Sequence, residues 1–153
     1  MKKHIVHRIA TAATFVIGLG TSAPVLATST GVQNLGAPAT ALDVYTFTCP
    51  VGTVSARARV HDLTVINNIP ASMRLALGFD GAPTVTVSDV NPAATGGEGG
   101  NPSAFAVVAD GAGPYAMAVG KTAVGADAYM AEAVCVNGVG VFSNPVLTKK
   151  IDQ

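Results

Sequence analysis

From Asp43 onward, apolar residues recur at every second position, a period that a β-strand satisfies and an α-helix does not. Tyr45, Phe47 and Cys49 alternate with Thr46 and Thr48. Val54, Ala56, Ala58 and Val60 alternate with Ser55, Arg57, Arg59 and His61, and Met73, Leu75, Leu77 and Phe79 with Arg74, Ala76 and Gly78. Val85 and Val87, then Phe105 and Val107, then Tyr115, Met117 and Val119 continue the pattern. Tyr129, Ala131, Ala133 and Cys135 alternate with Met130, Glu132, Val134 and Val136. Each run predicts a strand with one buried face, because successive side chains leave a pleat on opposite sides. Tyr45, Phe47, Phe79, Phe105, Tyr115 and Tyr129 are expected in the core. Residues 123–133 are rich in alanine, yet they lack a helical period and Gly125 interrupts them, so they too read as strand.

Turn signals separate the runs. Pro50-Val51-Gly52, Asp80-Gly81, Asp110-Gly111-Ala112-Gly113-Pro114 and Asn137-Gly138 supply residues that tolerate positive φ or fix the chain in a bend. Strands at this spacing predict an all-β fold, an antiparallel β-sandwich of about seven or eight strands, jelly-roll or Ig-like. A closed barrel is the alternative.

The N-terminus carries a different signal. Lys2, Lys3 and Arg8 precede an apolar run from Ile9 to Leu19, and Val25-Leu26-Ala27 places compact residues where a signal peptidase cuts. Residues 1–27 therefore read as a secretory signal peptide. Residues 28–42 read as an extended or disordered N-terminal arm, and residues 43–153 as the sandwich domain. The expected location is extracellular or at the cell surface, with the periplasm as a further possibility and no membrane insertion after cleavage. In an exported chain, Cys49 and Cys135 are expected to form one disulfide, since both fall on inward-facing positions.

Cleavage also changes the charge. It removes three bases and leaves six against nine acids, a net charge of −3. A weakly acidic domain with scattered bases lacks the basic stripe that neutralises phosphates, so no nucleic-acid partner is expected. His61 is the one histidine left, on the predicted outward face beside Arg57 and Arg59, and no nucleophile and orienting partner accompany it in a triad-like pattern. No catalytic residue is assigned. No cofactor is assigned either. Calcium is the one metal with candidate ligands, the turn-borne oxygens of Asp80, Asp89, Asn91, Glu98 and Asp110, although no Asp-x-Asp-x-Asp-Gly loop gathers them. Residues 91–102, with four glycines around Glu98, read as a surface loop without the lysine of a phosphate-binding loop.

Asp43-Val44-Tyr45-Thr46-Phe47, the strand Gly113-Pro114-Tyr115-Ala116-Met117-Ala118-Val119-Gly120 and the later Tyr129 resemble bacterial pre-peptidase C-terminal (PPC-like) domains. The resemblance spans roughly residues 43–136 and implies a secreted β-sandwich that is not itself catalytic. Here the domain stands without an attached enzyme, and the stretch from Asp62 to Ser72 is longer than the expected hairpin. No functional residue is carried over. Together these readings give a non-enzymatic secreted structural or interaction protein. Its self-association would run through the arm Thr28 to Leu42, added as a strand to a neighbour's sheet. The alternative is a monomeric extracellular binding module for calcium or a glycan.

Overall fold

The computed structural model describes residues 27–63, 73–89 and 101–153. The predicted signal sequence up to residue 26, and the calcium candidates Asn91 and Glu98, lie outside them. Among the described residues there is no helix, and therefore none long and apolar enough to cross a membrane.

The chain is an antiparallel β-sandwich. Its long strands are β3 (Leu42–Cys49), β4 (Thr53–Asp62), β5 (Met73–Phe79), β6 (Ala82–Asp89), β8 (Gly113–Lys121) and β9 (Asp127–Asn137). The short strands are β1 (Thr28–Ser29), β2 (Gln33–Leu35), β7 (Ala106–Val108), β10 (Phe142–Ser143) and β11 (Thr148–Ile151). One sheet runs β1-β9-β4-β7, with β2 and β10 also paired to β9; the other runs β11-β3-β8-β5-β6. The strands that the alternation predicts are present. The additional ones, β1, β2, β10 and β11, are two to four residues long, with too few buried positions to print a period of two on the sequence.

The two sheets contribute unequal side chains to the core. β4, β7 and β9 present Ala56, Ala58, Ala106, Ala131 and Ala133 inward, and the opposite sheet faces them with Leu75, Leu77, Tyr115 and Met117. An alanine-lined face against a bulky one lets two sheets interdigitate at native packing density. Phe47 stacks on Tyr115 with ring centroids 5.5 Å apart, and Phe79 meets the same ring edge-on at 5.1 Å.

This division of volume explains one departure from the expected pattern. Phe105 and Val107 are exposed, and Ala106 and Val108 point inward, paired with Ala58 and Ala56. The inner face has room for alanine there and not for a phenylalanine. A second departure lies at the start of β4. A register shift between Thr53 and Ser55 turns Val54 outward and buries Ser55. A bulge of this kind inverts the phase of the residues before it.

Cys49 and Cys135 form the disulfide. It joins β3 to β9 and so staples one sheet to the other across 86 residues of sequence. Closing a loop of that length stabilises the fold by about 4–5 kcal/mol in the chain-entropy account. Replacing both cysteines by alanine is expected to lower the unfolding free energy in urea by about 4 kcal/mol, while far-UV circular dichroism keeps its β-sheet form. A loss below about 1 kcal/mol would show that the bridge does not restrain the unfolded chain as its span implies.

Candidate functional site

Asp43, Asp62, Asp89, Lys121 and Asp127 are all buried. Each occupies the inward phase of its strand, and strand register places all five at one end of the sandwich, opposite the disulfide. β3 and β9 begin there with Asp43 and Asp127; β4, β6 and β8 end there with Asp62, Asp89 and Lys121. A buried charge is tolerated only with partners, and at this end two of the five recruit the chain termini.

Asp43 is the centre of one network. Its carboxylate accepts the Tyr129 hydroxyl at 2.5 Å and the Gln153 amide at 3.1 Å, and pairs with the Lys149 ammonium at 2.9 Å. Tyr129 also lies 2.8 Å from the hydroxyl of Tyr45. Lys149 reaches Asp152 at 2.7 Å and donates to the side chain of Gln33, on the arm, at 3.2 Å. Lys121 forms the second network by donating to the carbonyls of Gly36 and Gly125. The Gly36 amide donates to the carbonyl of Gln153 at 2.8 Å. A side chain at Gly36 would meet that Gln153 backbone at 2.9 Å, so the close approach of the arm to the C-terminal segment requires glycine here.

These contacts seat the arm. Residues Thr28–Ser29 and Gln33–Leu35 run antiparallel along β9, with Thr28 opposite Ala133 and Leu35 opposite Asp127. Thr30 adds a pair of bonds with Ala131: its amide donates to the Ala131 carbonyl at 2.9 Å, and its hydroxyl accepts the Ala131 amide at 3.0 Å. Leu35 is the one residue of this stretch that is fully buried. Beyond it, Gly36 to Ala41 crosses from one sheet to the other.

The remaining candidates do not gather. Asp80 is an exposed turn residue at φ 50°, and Asp89 is buried at the far end of the same hairpin, where it accepts the Asp62 amide at 2.9 Å. Two carboxylates at opposite ends of an eight-residue strand cannot share one ion. Asp110 is exposed beside Gly111, whose carbonyl accepts the Tyr115 hydroxyl at 2.7 Å. Among the described residues no three acidic, histidine or cysteine side chains converge as metal ligands. His61 borders a 170 Å³ cavity with Arg59, Pro102, Met130 and Glu132, none of which carries a hydroxyl or thiol, and Glu132 is paired with Arg59.

A second surface went unread in the sequence. The outer face of the six-stranded sheet holds a 420 Å³ groove lined by Arg57, Arg59, Phe105, Glu132, Val134 and Phe142, with the arm at its rim. Its signal was the Arg57-x-Arg59 pair on one face of β4; the aromatic neighbours come from the segment leading into β7 and from β10, far away in sequence. No protein-family model, curated protein or solved structure matches this chain.

The Asp43 network titrates on the alkaline side. Burial pushes the Tyr129 hydroxyl far above the ordinary tyrosine range, and its bonds to Asp43 and Tyr45 act in the same direction. Burial also raises Tyr45. For Lys149 burial acts downward, but hydrogen bonds to Asp152 and Asp43 outweigh it and the ammonium is held above its usual range. In all three the folded state keeps a proton that the unfolded state releases, so stability is present below about pH 10 and lost above it. Urea unfolding is expected to show a falling limb above about pH 10, shallower in Tyr129→Phe. Stability unchanged through about pH 11 would contradict this account of the network.

Proposed function

We propose that this chain is a non-enzymatic, secreted structural or interaction protein that assembles outside the cell by exchanging its N-terminal arm between copies. One observation carries the reading: the strand segments that complete the β9 edge, up to Leu35, place one side chain in the core, Leu35, and only the small Ala41 follows it there before β3. Full burial of a leucine contributes about 2–3 kcal/mol. Ordering the surrounding arm residues costs about 1 kcal/mol or more each in backbone entropy. The arm is therefore held by a modest margin, and a neighbour's identical arm would restore every contact that its own release removes. Arm exchange of this kind is heterologous when each arm passes to the next copy, and a repeating head-to-tail contact that does not close gives a fibre.

Other features support the same reading. The disulfide suits an oxidising compartment. The resemblance to PPC-like domains implies a non-catalytic sandwich. The proposed signal cleavage after Ala27 would leave Thr28, the first residue of β1, as the new N-terminus.

The test is to lock the arm in place. Asn34 lies directly opposite Ala128 across the β2–β9 pair, and Asn34→Cys with Ala128→Cys would bridge them in one copy. Residues 28–153 are expected to form regular filaments in negative-stain electron microscopy. The oxidised, locked variant is expected to stay monomeric and to assemble once mild reductant opens the new bridge, the buried native disulfide being shielded. A wild-type protein that remains monomeric at high concentration, or a locked variant that assembles equally well, would overturn the proposal.

A further inference from the structure

We infer that the groove on the outer face of the six-stranded sheet is a binding site for an acidic polysaccharide of the uronate type. The groove is cationic in a chain whose mature form is net acidic. It holds two guanidiniums and one carboxylate: Arg59 is paired with Glu132 at 2.6 Å, and Arg57 has no ion pair among the described residues. The Nε of Arg57 is covered and has no hydrogen-bond acceptor there, so the outer amino groups of this guanidinium are the ones that can meet a ligand. One guanidinium is thus neutralised within the protein and the other is left for an outside anion.

Both guanidiniums are held in position. Arg57 lies over the ring of Phe142 at 5.9 Å, and Arg59 over the ring of Phe105 at 4.7 Å. Stacking on an aromatic face fixes the planar group and leaves its outer N–H bonds free to grip a carboxylate in bidentate fashion. Phe142 and Phe105 are 40% and 37% exposed, which leaves apolar area available to the C–H faces of a sugar. Arg57 and Arg59 are two residues apart on one strand, so their anchor points repeat about 7 Å apart, and His61 continues the row. A polymer that carries a carboxylate on each sugar can seat one on Arg57 while the adjoining sugars lie along the row.

The backbone decides between a saccharide and an acidic peptide. β4 runs inside the sheet: Arg57 is paired on one side with Val134 and on the other with Val107, and Val60 exchanges hydrogen bonds with Ser103. β4 therefore has no free ladder, and an extended peptide lying along its arginine row could not add main-chain hydrogen bonds to it, the usual source of its affinity. A saccharide carries its recognition groups on its own periphery and needs no ladder. The guanidiniums and rings belong to β4, β10 and the segment leading into β7, and the arm contributes Ser29 to the rim, so the ligand contacts argued here come from residues outside the arm.

Isothermal titration of residues 28–153 with a defined oligogalacturonate tests it. Binding is expected, weaker at higher salt, absent with the methyl-esterified oligomer, and weakened about tenfold or more by Arg57→Gln. Because Arg57 faces outward, that variant is expected to keep the wild-type melting temperature, and Phe142→Leu is expected to weaken binding by removing the stacking partner. No binding of the oligogalacturonate would overturn the inference. So would full affinity in Arg57→Gln, equal binding of the esterified oligomer, or equal or tighter binding of an oligoglutamate peptide.

Discussion

The carboxylate of Asp43 has no access to water, and the architecture around it follows from the need to satisfy it. Tyr129 comes from the facing sheet, Lys149 from β11 and the Gln153 amide from the end of the chain. Lys149 in turn reaches Gln33 on the arm. A single buried charge therefore connects both sheets with residues from the beginning and end of the described chain. The disulfide performs the complementary task at the opposite end, where apolar strands need a covalent tie and no polar network. The sandwich is held by chemistry of two kinds, one at each pole.

The division has a consequence for the arm. Its contacts are of the side-chain and edge type: Leu35 and the small Ala41 in the core, a few ladder bonds, and the links through Gln33, Gly36 and Ala37. Net contributions of about 0.5–1.5 kcal/mol per hydrogen bond make such a seat stable in the folded monomer yet separable from the rest of the domain. The long strands β3, β4, β8 and β9 share a continuous core and the disulfide, so they open together. This difference in cohesion, rather than any special feature of the arm's sequence, is what the proposed exchange between copies rests on.

Much of this was legible in the sequence. The alternation in Tyr45-x-Phe47-x-Cys49 and Tyr129-x-Ala131-x-Ala133-x-Cys135 identifies strands, buried faces and the bridge between them, because burial of one face forces a period of two. The phase failed at Phe105 because local alternation does not reveal how much volume the opposite sheet fills, and at Val54 because a bulge shifts the register without a distinctive residue. The polar end was visible in part: Asp43, Asp62, Asp89, Lys121 and Asp127 each interrupt an apolar phase at a strand terminus. Their convergence on one end depends on strand order, which the sequence does not state. The groove escaped notice for the same reason, since Phe105 and Phe142 reach Arg59 and Arg57 only through tertiary pairing.

Amide hydrogen exchange on residues 28–153 tests the central claim, that the arm is a separable element of an otherwise cooperative sandwich. The amides of Thr30 and Gly36, bonded to Ala131 and Gln153, should exchange through a local opening, at least about a hundredfold faster than those of the β3–β8 ladder and with little dependence on denaturant. Exchange of these amides at the rate of the ladder, with the denaturant dependence of global unfolding, would mean that the arm is an integral strand and would contradict the account.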